Sequence, residues 1–209
     1  MRQKGFTIIE IVLIFFAIAV IAAVIIPLNL TDMHQAKRVA KWHKVYKELQ
    51  YSFNLIKIED GTILGENPDR MTQGEMFDRI APYLDIANSE NQPDFHKYNY
   101  RYRNKTFIKQ SSRYYFNDFF MMNGNVIGSI KKNMERDGDN TKPYAYMLVD
   151  VNGLEKPNRI GLDIFFINIY NDRISAFGDG YPLMDLKAGC SKIGKGLFCS
   201  KYYLVGSHL

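Results

Sequence analysis

Apolar and polar positions are spread unevenly along this chain. From Ile11 to Ile26 sixteen consecutive residues are apolar, and between Phe6 and Ile11 only Thr7 and Glu10 are polar. A helix of that length is roughly 30 Å long, the thickness of a bilayer's hydrocarbon core, so the run predicts a transmembrane segment. From Thr31 the pattern becomes amphipathic. Val39, Trp42, Tyr46, Leu49, Phe53 and Ile56 recur at steps of three and four, with Lys37, Lys41, Lys44, Lys47 and Glu48 between them. That spacing predicts one apolar stripe on a helix running to about Ile58, stopped by Asp60-Gly61. Trp42 and the tyrosines beside it read as a packing face laid on a sheet.

Downstream the period shortens. Thr72 and Glu75 have the spacing of a capping box, and Met76, Phe77, Ile80 and Leu84 continue it as a short helix to about Leu84, with Pro82 near its end. Tyr98, Tyr100 and Tyr102 alternate with Asn99, Arg101 and Arg103, the period of a half-buried strand. The same interleaving of rings and cations can bind single-stranded nucleic acid, which is the less favoured reading. Residues 113–122 predict a strand, Asn123-Gly124 a hairpin turn, Val126–Ile130 its partner, and residues 131–142 an exposed loop. Two strong β runs, 144–150 and 164–170, flank a turn-rich connection, and a further strand is expected at Arg173–Phe177. The run Tyr202 to Val205 reads as a last strand or a packed tail.

Composition changes the picture only in part. The 209 residues are 46% hydrophobic and 23% charged, values that exclude a polytopic membrane protein, a collagen-like chain or a disordered tail. The residues beyond the apolar run suffice for one domain with its own core. A net charge of +5 without a block of basic residues gives little support for a nucleic-acid partner. Cys190 and Cys199 read either as one small disulfide loop or as two separate thiols, with no Cys-x-x-Cys or Cys/His cluster to indicate zinc. Asp150, Asn152, Asn158 and Asp163 are hard oxygen ligands and raise calcium, but their spacing is not that of an EF-hand. Such residues ordinarily cap turns with their own side chains.

Glu10 is the anomaly. A carboxylate inside an apolar helix is costly in a membrane, so it either snorkels to the interface or meets a cation. Arg2 and Lys4 before an apolar run could mark a secretory signal peptide, with Ala17-Ile18-Ala19 as its cleavage site. The run continues past that point to Ile26, which favours an uncleaved anchor.

The segment Gly5-Phe6-Thr7-Ile8-Ile9-Glu10, behind a short basic leader and ahead of an unbroken apolar run, resembles the N-terminal signal of type IV pilins and pseudopilins. The resemblance implies cleavage after Gly5 by a prepilin peptidase and N-methylation of Phe6. It also implies that Glu10 faces the terminal amine of a neighbouring subunit in the filament core, consistent with the need of a buried carboxylate for a buried cation. Pro27 stands where pilins carry a helix-bending proline. A C-terminal disulfide loop, here Cys190–Cys199, is common in the family. The block Asp-Val-Asn-Gly at 150–153, Pro157-Asn158 and Gly161-x-Asp163 also looks like one found in pilin-like globular parts.

The expected fold is therefore α+β: a long N-terminal helix, its first half transmembrane, packed on an antiparallel sheet. Residues 1–5 would be a cytoplasmic leader, 6–30 the membrane and filament-core helix, and 31–209 the globular domain. The implied partners are homologous pilin subunits, the prepilin peptidase, an inner-membrane assembly platform and, before assembly, membrane lipid. The implied location is the inner membrane with an extracytoplasmic domain, then a periplasmic or extracellular filament. Lys37, Arg38, Lys41, Lys44 and Lys47 follow the apolar run, and a plain count of positive charges would place the C-terminal part in the cytoplasm. No cofactor is expected. His34, His43, His96 and His208 make no metal or nucleophile motif, so an anchored enzyme is the minor reading from another class. Within the family, a secretion pseudopilin, a competence pilin that takes up DNA and a minor pilin at a filament tip are the alternatives. Loss of Arg2 and Lys4 with the leader would remove two of the five net positive charges.

Overall fold

The computed structural model describes residues 7–88, 90 and 92–206; within the first helix the side chains of Ala22 and residues 24–32 are not described. The chain is α+β, with a long N-terminal helix and a five-stranded antiparallel sheet. It divides into two compact units, Met1–Lys37 and Arg38–His208.

The described part of the first unit is Thr7 and the start of α1, which spans Ile8–Asp60. α1 runs through the position of Pro27 without ending; the Pro27 side chain lies outside the described ones. Gly5 and Phe6 also lie outside the described residues. Among the described residues no helix is long and apolar enough to cross a membrane. Part of the apolar run, Ala22 and Val24–Ile26, falls among the undescribed side chains.

In the second unit α1 presents most of the stripe its spacing predicts. Trp42, Leu49, Phe53 and Ile56 are buried, Val39 and Tyr46 are only partly buried against the same core, and Val45, outside the predicted set, is buried with them. The helix ends two residues past the expected point, and Gly61 then turns with φ of 77°. α2, Gln73–Ile80, opens on the predicted capping box: the Thr72 hydroxyl accepts from the Glu75 N–H, and the Glu75 carboxylate accepts from the Thr72 N–H at 2.7 Å. Pro82 sits in a 3-10 turn, Ala81–Tyr83.

The strands are β1 (Phe119–Met122), β2 (Val126–Lys132), β3 (Ala145–Asp150), β4 (Ile164–Ile169) and β5 (Ile174–Ala176), side by side in that order. Met122 pairs with Val126 around a three-residue turn, where Gly124 and Asn125 have φ of 75° and 58°. Both faces of the centre are covered. Ala145, Met147, Val149, Phe165 and Ile167 belong to the core that contains the α1 stripe. Tyr146, Leu148, Ile164 and Phe166 belong to a second core with Tyr100, Tyr102, Phe116 and Ile160. That double burial is why β3 and β4 read as near-continuous apolar runs. The outer edge of β1 is occupied: the Met121 N–H donates to the Gln92 side chain at 2.6 Å, and the Met121 carbonyl accepts from the Ala87 N–H at 2.9 Å.

Four expectations are corrected. Tyr98–Arg103 is not a strand of the sheet. Only Arg101 forms β-bridges there, to Phe107 and Arg159, although Tyr100 and Tyr102 do bury alternate side chains as the pattern required. The 113–122 strand begins at Phe119, because Phe116 instead turns into the second core. The 131–142 segment is not uniformly exposed: β2 extends to Lys132, and Arg136 is buried over the Tyr144 ring, 3.6 Å from its centroid. The C-terminal run is not a strand but α4, Cys199–Leu204, preceded by α3, Leu183–Gly189.

Candidate functional site

The feature with most exposed apolar surface is the start of α1. Ile8, Ile9, Val12, Leu13, Phe15 and Phe16 are each at least 60% exposed, and Ile11, Ile14, Ile18, Val20 and Ile21 at least 43%. These positions cover every angle around a helix of 3.6 residues per turn, so the segment has no polar face. Thr7 and Glu10 form its one polar device. The Glu10 carboxylate accepts from the Thr7 N–H at 2.8 Å and from the Thr7 hydroxyl at 2.9 Å, while the Glu10 N–H donates to the Thr7 hydroxyl oxygen at 3.3 Å. This is the same reciprocal cap as at Thr72 and Glu75, closing the first turn of α1.

The second candidate is the turn block between β3 and β4. The structure brings Asp150 and Asp163 together with the backbone of the connection. Both are fully buried. Asp150 accepts from the Tyr98 hydroxyl at 2.5 Å and from the Asn152 N–H at 3.1 Å. Asp163 accepts from the N–H groups of Asn158 and Arg159 at 2.8 and 2.6 Å. The Asn152 amide donates to the Glu155 carbonyl at 2.8 Å. Burial, then the charge of Asp163, pushes the Asp150 carboxyl well above the usual range. Burial also raises Asp163, partly offset by its backbone donors. Burial and the Asp150 charge raise the Tyr98 hydroxyl well above its ordinary value. These carboxylates hold the turns that join β3 to β4, the role their residue types ordinarily play. Among the described residues no group of three or more His, Cys, Asp and Glu side chains could hold a metal ion.

Cys190 and Cys199 are bonded to each other. The bridge joins the end of α3 to the start of α4 and abuts the turn block. A Cβ on Gly161 would lie 2.6 Å from the Cys199 sulfur. Arg103, noted in the sequence only as one cation of the Tyr98–Arg103 alternation, ties these parts together. Its guanidinium donates to the Gly161 carbonyl and lies 3.2 Å from the Tyr203 hydroxyl and 3.7 Å from the Cys199 sulfur. Its place in the Tyr-x-Tyr-x alternation marked it as outward-facing, which concealed this contact. Tyr98 was read as one strand position among several, with no sign that it caps Asp150.

No family model, curated protein or solved structure matches this chain. The functional reading therefore rests on the residues and their geometry.

Proposed function

We propose that the chain is a structural subunit of a type IV pilus-like or pseudopilus-like filament. On this reading it is made as a single-pass inner-membrane precursor and cleaved after Gly5. The new terminal Phe6 is N-methylated, and the subunit polymerises through its N-terminal helix. The observation that carries the reading is the segment Ile8–Ile21, apolar on all sides and exposed, opening behind a basic leader with one carboxylate near its start. An apolar surface of that extent marks contact with lipid or with other chains. Moving such helices out of lipid and into a filament gains little hydrophobic free energy, because lipid is as apolar as the side chains. Helix packing and the pairing of Glu10 with a cation are then the terms that favour assembly. A neighbour's Phe6 amine supplies that cation. The buried acids of the turn block accept from the Tyr98 hydroxyl and from backbone N–H groups, and on this reading they serve the folded surface of the globular unit.

The test is processing and polymerisation in a host carrying a prepilin peptidase. The parent protein should lose five residues and begin with N-methylated Phe6 by intact mass. Gly5→Val should keep the full precursor mass in the membrane fraction; cleavage of that variant at the same place would refute the processing claim. Glu10→Ala should be cleaved but give few sheared filaments, and a normal filament yield would remove the role assigned to Glu10.

A further inference from the structure

Two adjoining cavities on the globular unit share Asp94, Lys97, Tyr98 and Asn99 in their walls. The larger, about 1160 Å³, is walled by the rings of Phe95, Tyr98, Phe107, Tyr115 and Phe119. Phe107 is 68% exposed, with the Arg101 guanidinium 4.1 Å from its centroid. Three carboxamides, Asn99, Gln110 and Asn117, are exposed on the same walls. Its charged groups leave one net negative charge, Asp94 and Asp118 against Lys97, so this part of the double cavity suits an uncharged group.

The smaller cavity, about 700 Å³, is different. Lys97, Arg101, Lys105, Lys156 and Arg159 line it against the single carboxylate of Asp94. Among the described residues none of these five cations is in an ion pair. Five like charges gathered against one carboxylate repel one another, and a bound anion relieves that repulsion.

We propose that this double cavity binds an acidic oligosaccharide in which charged sugars alternate with uncharged ones. Uncharged sugar rings lay their apolar C–H faces on the aromatic wall of the larger cavity, whose exposed ring is Phe107. Their hydroxyls meet the carboxamides, each of which offers both donors and an acceptor. Sugar carboxylates lie against Arg101, Lys156 and Arg159, where planar guanidinium groups can donate two parallel hydrogen bonds. A nucleic acid fits this division less well. It carries one phosphate on every unit, and some of those would have to pass Asp94 and Asp118. The inference is independent of whether the chain polymerises, since it concerns only the globular surface.

The test uses the full chain in detergent micelles, titrated calorimetrically at low salt with three probes. These are a hyaluronan hexasaccharide (alternating acidic and uncharged sugars), a chitin hexasaccharide (uncharged) and a thymidine hexanucleotide (charged at every link). The hyaluronan hexasaccharide should bind tightest of the three. Phe107→Ala and Lys156→Glu should each weaken it about tenfold or more, with unchanged melting temperature, because both side chains are exposed. Tighter binding of the hexanucleotide would assign the site to single-stranded nucleic acid and overturn the proposal. Equal affinity for chitin would overturn the role of the cations. Absence of hyaluronan binding, or affinity unchanged in both variants, would overturn it altogether.

Discussion

Replacing Trp42 with phenylalanine tests how α1 is held to the sheet. The indole is fully buried, stacked on Phe165 with centroids 4.6 Å apart. Its N–H donates to the Ser200 carbonyl of α4 at 2.9 Å. Trp42→Phe keeps an aromatic ring but removes roughly 40 Å³ of side chain, and the resulting void costs about 1 kcal/mol. The lost hydrogen bond adds about 0.5–1.5 kcal/mol. Together these come to about 2 kcal/mol, a fall in Tm of about 4–8 °C for a domain of this size. Thermal unfolding of the full chain in detergent, followed by circular dichroism, measures it. Tyr51→Ala is the control, because Tyr51 lies on the same helix at 66% exposure and should change stability by less than about 0.5 kcal/mol. A Trp42→Phe midpoint within a degree of the parent would refute the anchoring role. So would a Tyr51→Ala shift of equal size, which would show the helix to be sensitive everywhere.

Two further outcomes follow from the turn block and the bridge. In the unfolded chain Asp150 ionises near pH 4, whereas burial and the Asp163 charge keep it protonated to higher pH in the fold. Below about pH 4 both states hold the proton. Above it, ionisation favours the unfolded state until the folded carboxyl also ionises, so this group's stabilisation is lost as pH rises from mild acid through the folded pKa. Asp150→Asn should reduce the decline in Tm across that range, and an unchanged slope would show that other groups cause it. Cys190→Ser opens a loop whose ends are nine residues apart, which by loop entropy costs about 2.5–3 kcal/mol. A Tm matching that of the oxidised parent would mean that packing of α3 and α4 holds the loop closed without the bond.

Elements with long local periods were legible from the chain alone. The α1 stripe, the Thr72 cap and the β3 and β4 runs each repeat one signal over several residues, and each stands where expected. Segments whose conformation is decided by distant partners were not. Tyr98–Arg103 alternates like a strand, yet its backbone bonds go to the turn block and to the loop at Lys195. Arg136 reads as a loop charge, and it is buried because the distant Asp69 supplies an acceptor beside the local one of Asn140. α3 lies in a stretch rich in glycine and proline, where composition masked a two-turn helix. Of the candidate site, Glu10, the cysteine pair and the turn-block acids were visible as residue types. The Arg103 bridge and the clustering of Lys156 and Arg159 with Lys97 depend on tertiary approach and had no local sign.

The occupied outer edge of β1 bears on how copies of this chain can meet. An open strand edge recruits any extended backbone and lets sheets grow sideways into aggregates. Here Gln92 and Ala87 take up the Met121 backbone groups, and the opposite outer strand, β5, is only three residues long. Neither margin offers a long row of free ladder groups. Growth of the sheet by strand addition is thereby discouraged. Copies of the folded unit can therefore meet without their sheets merging into one.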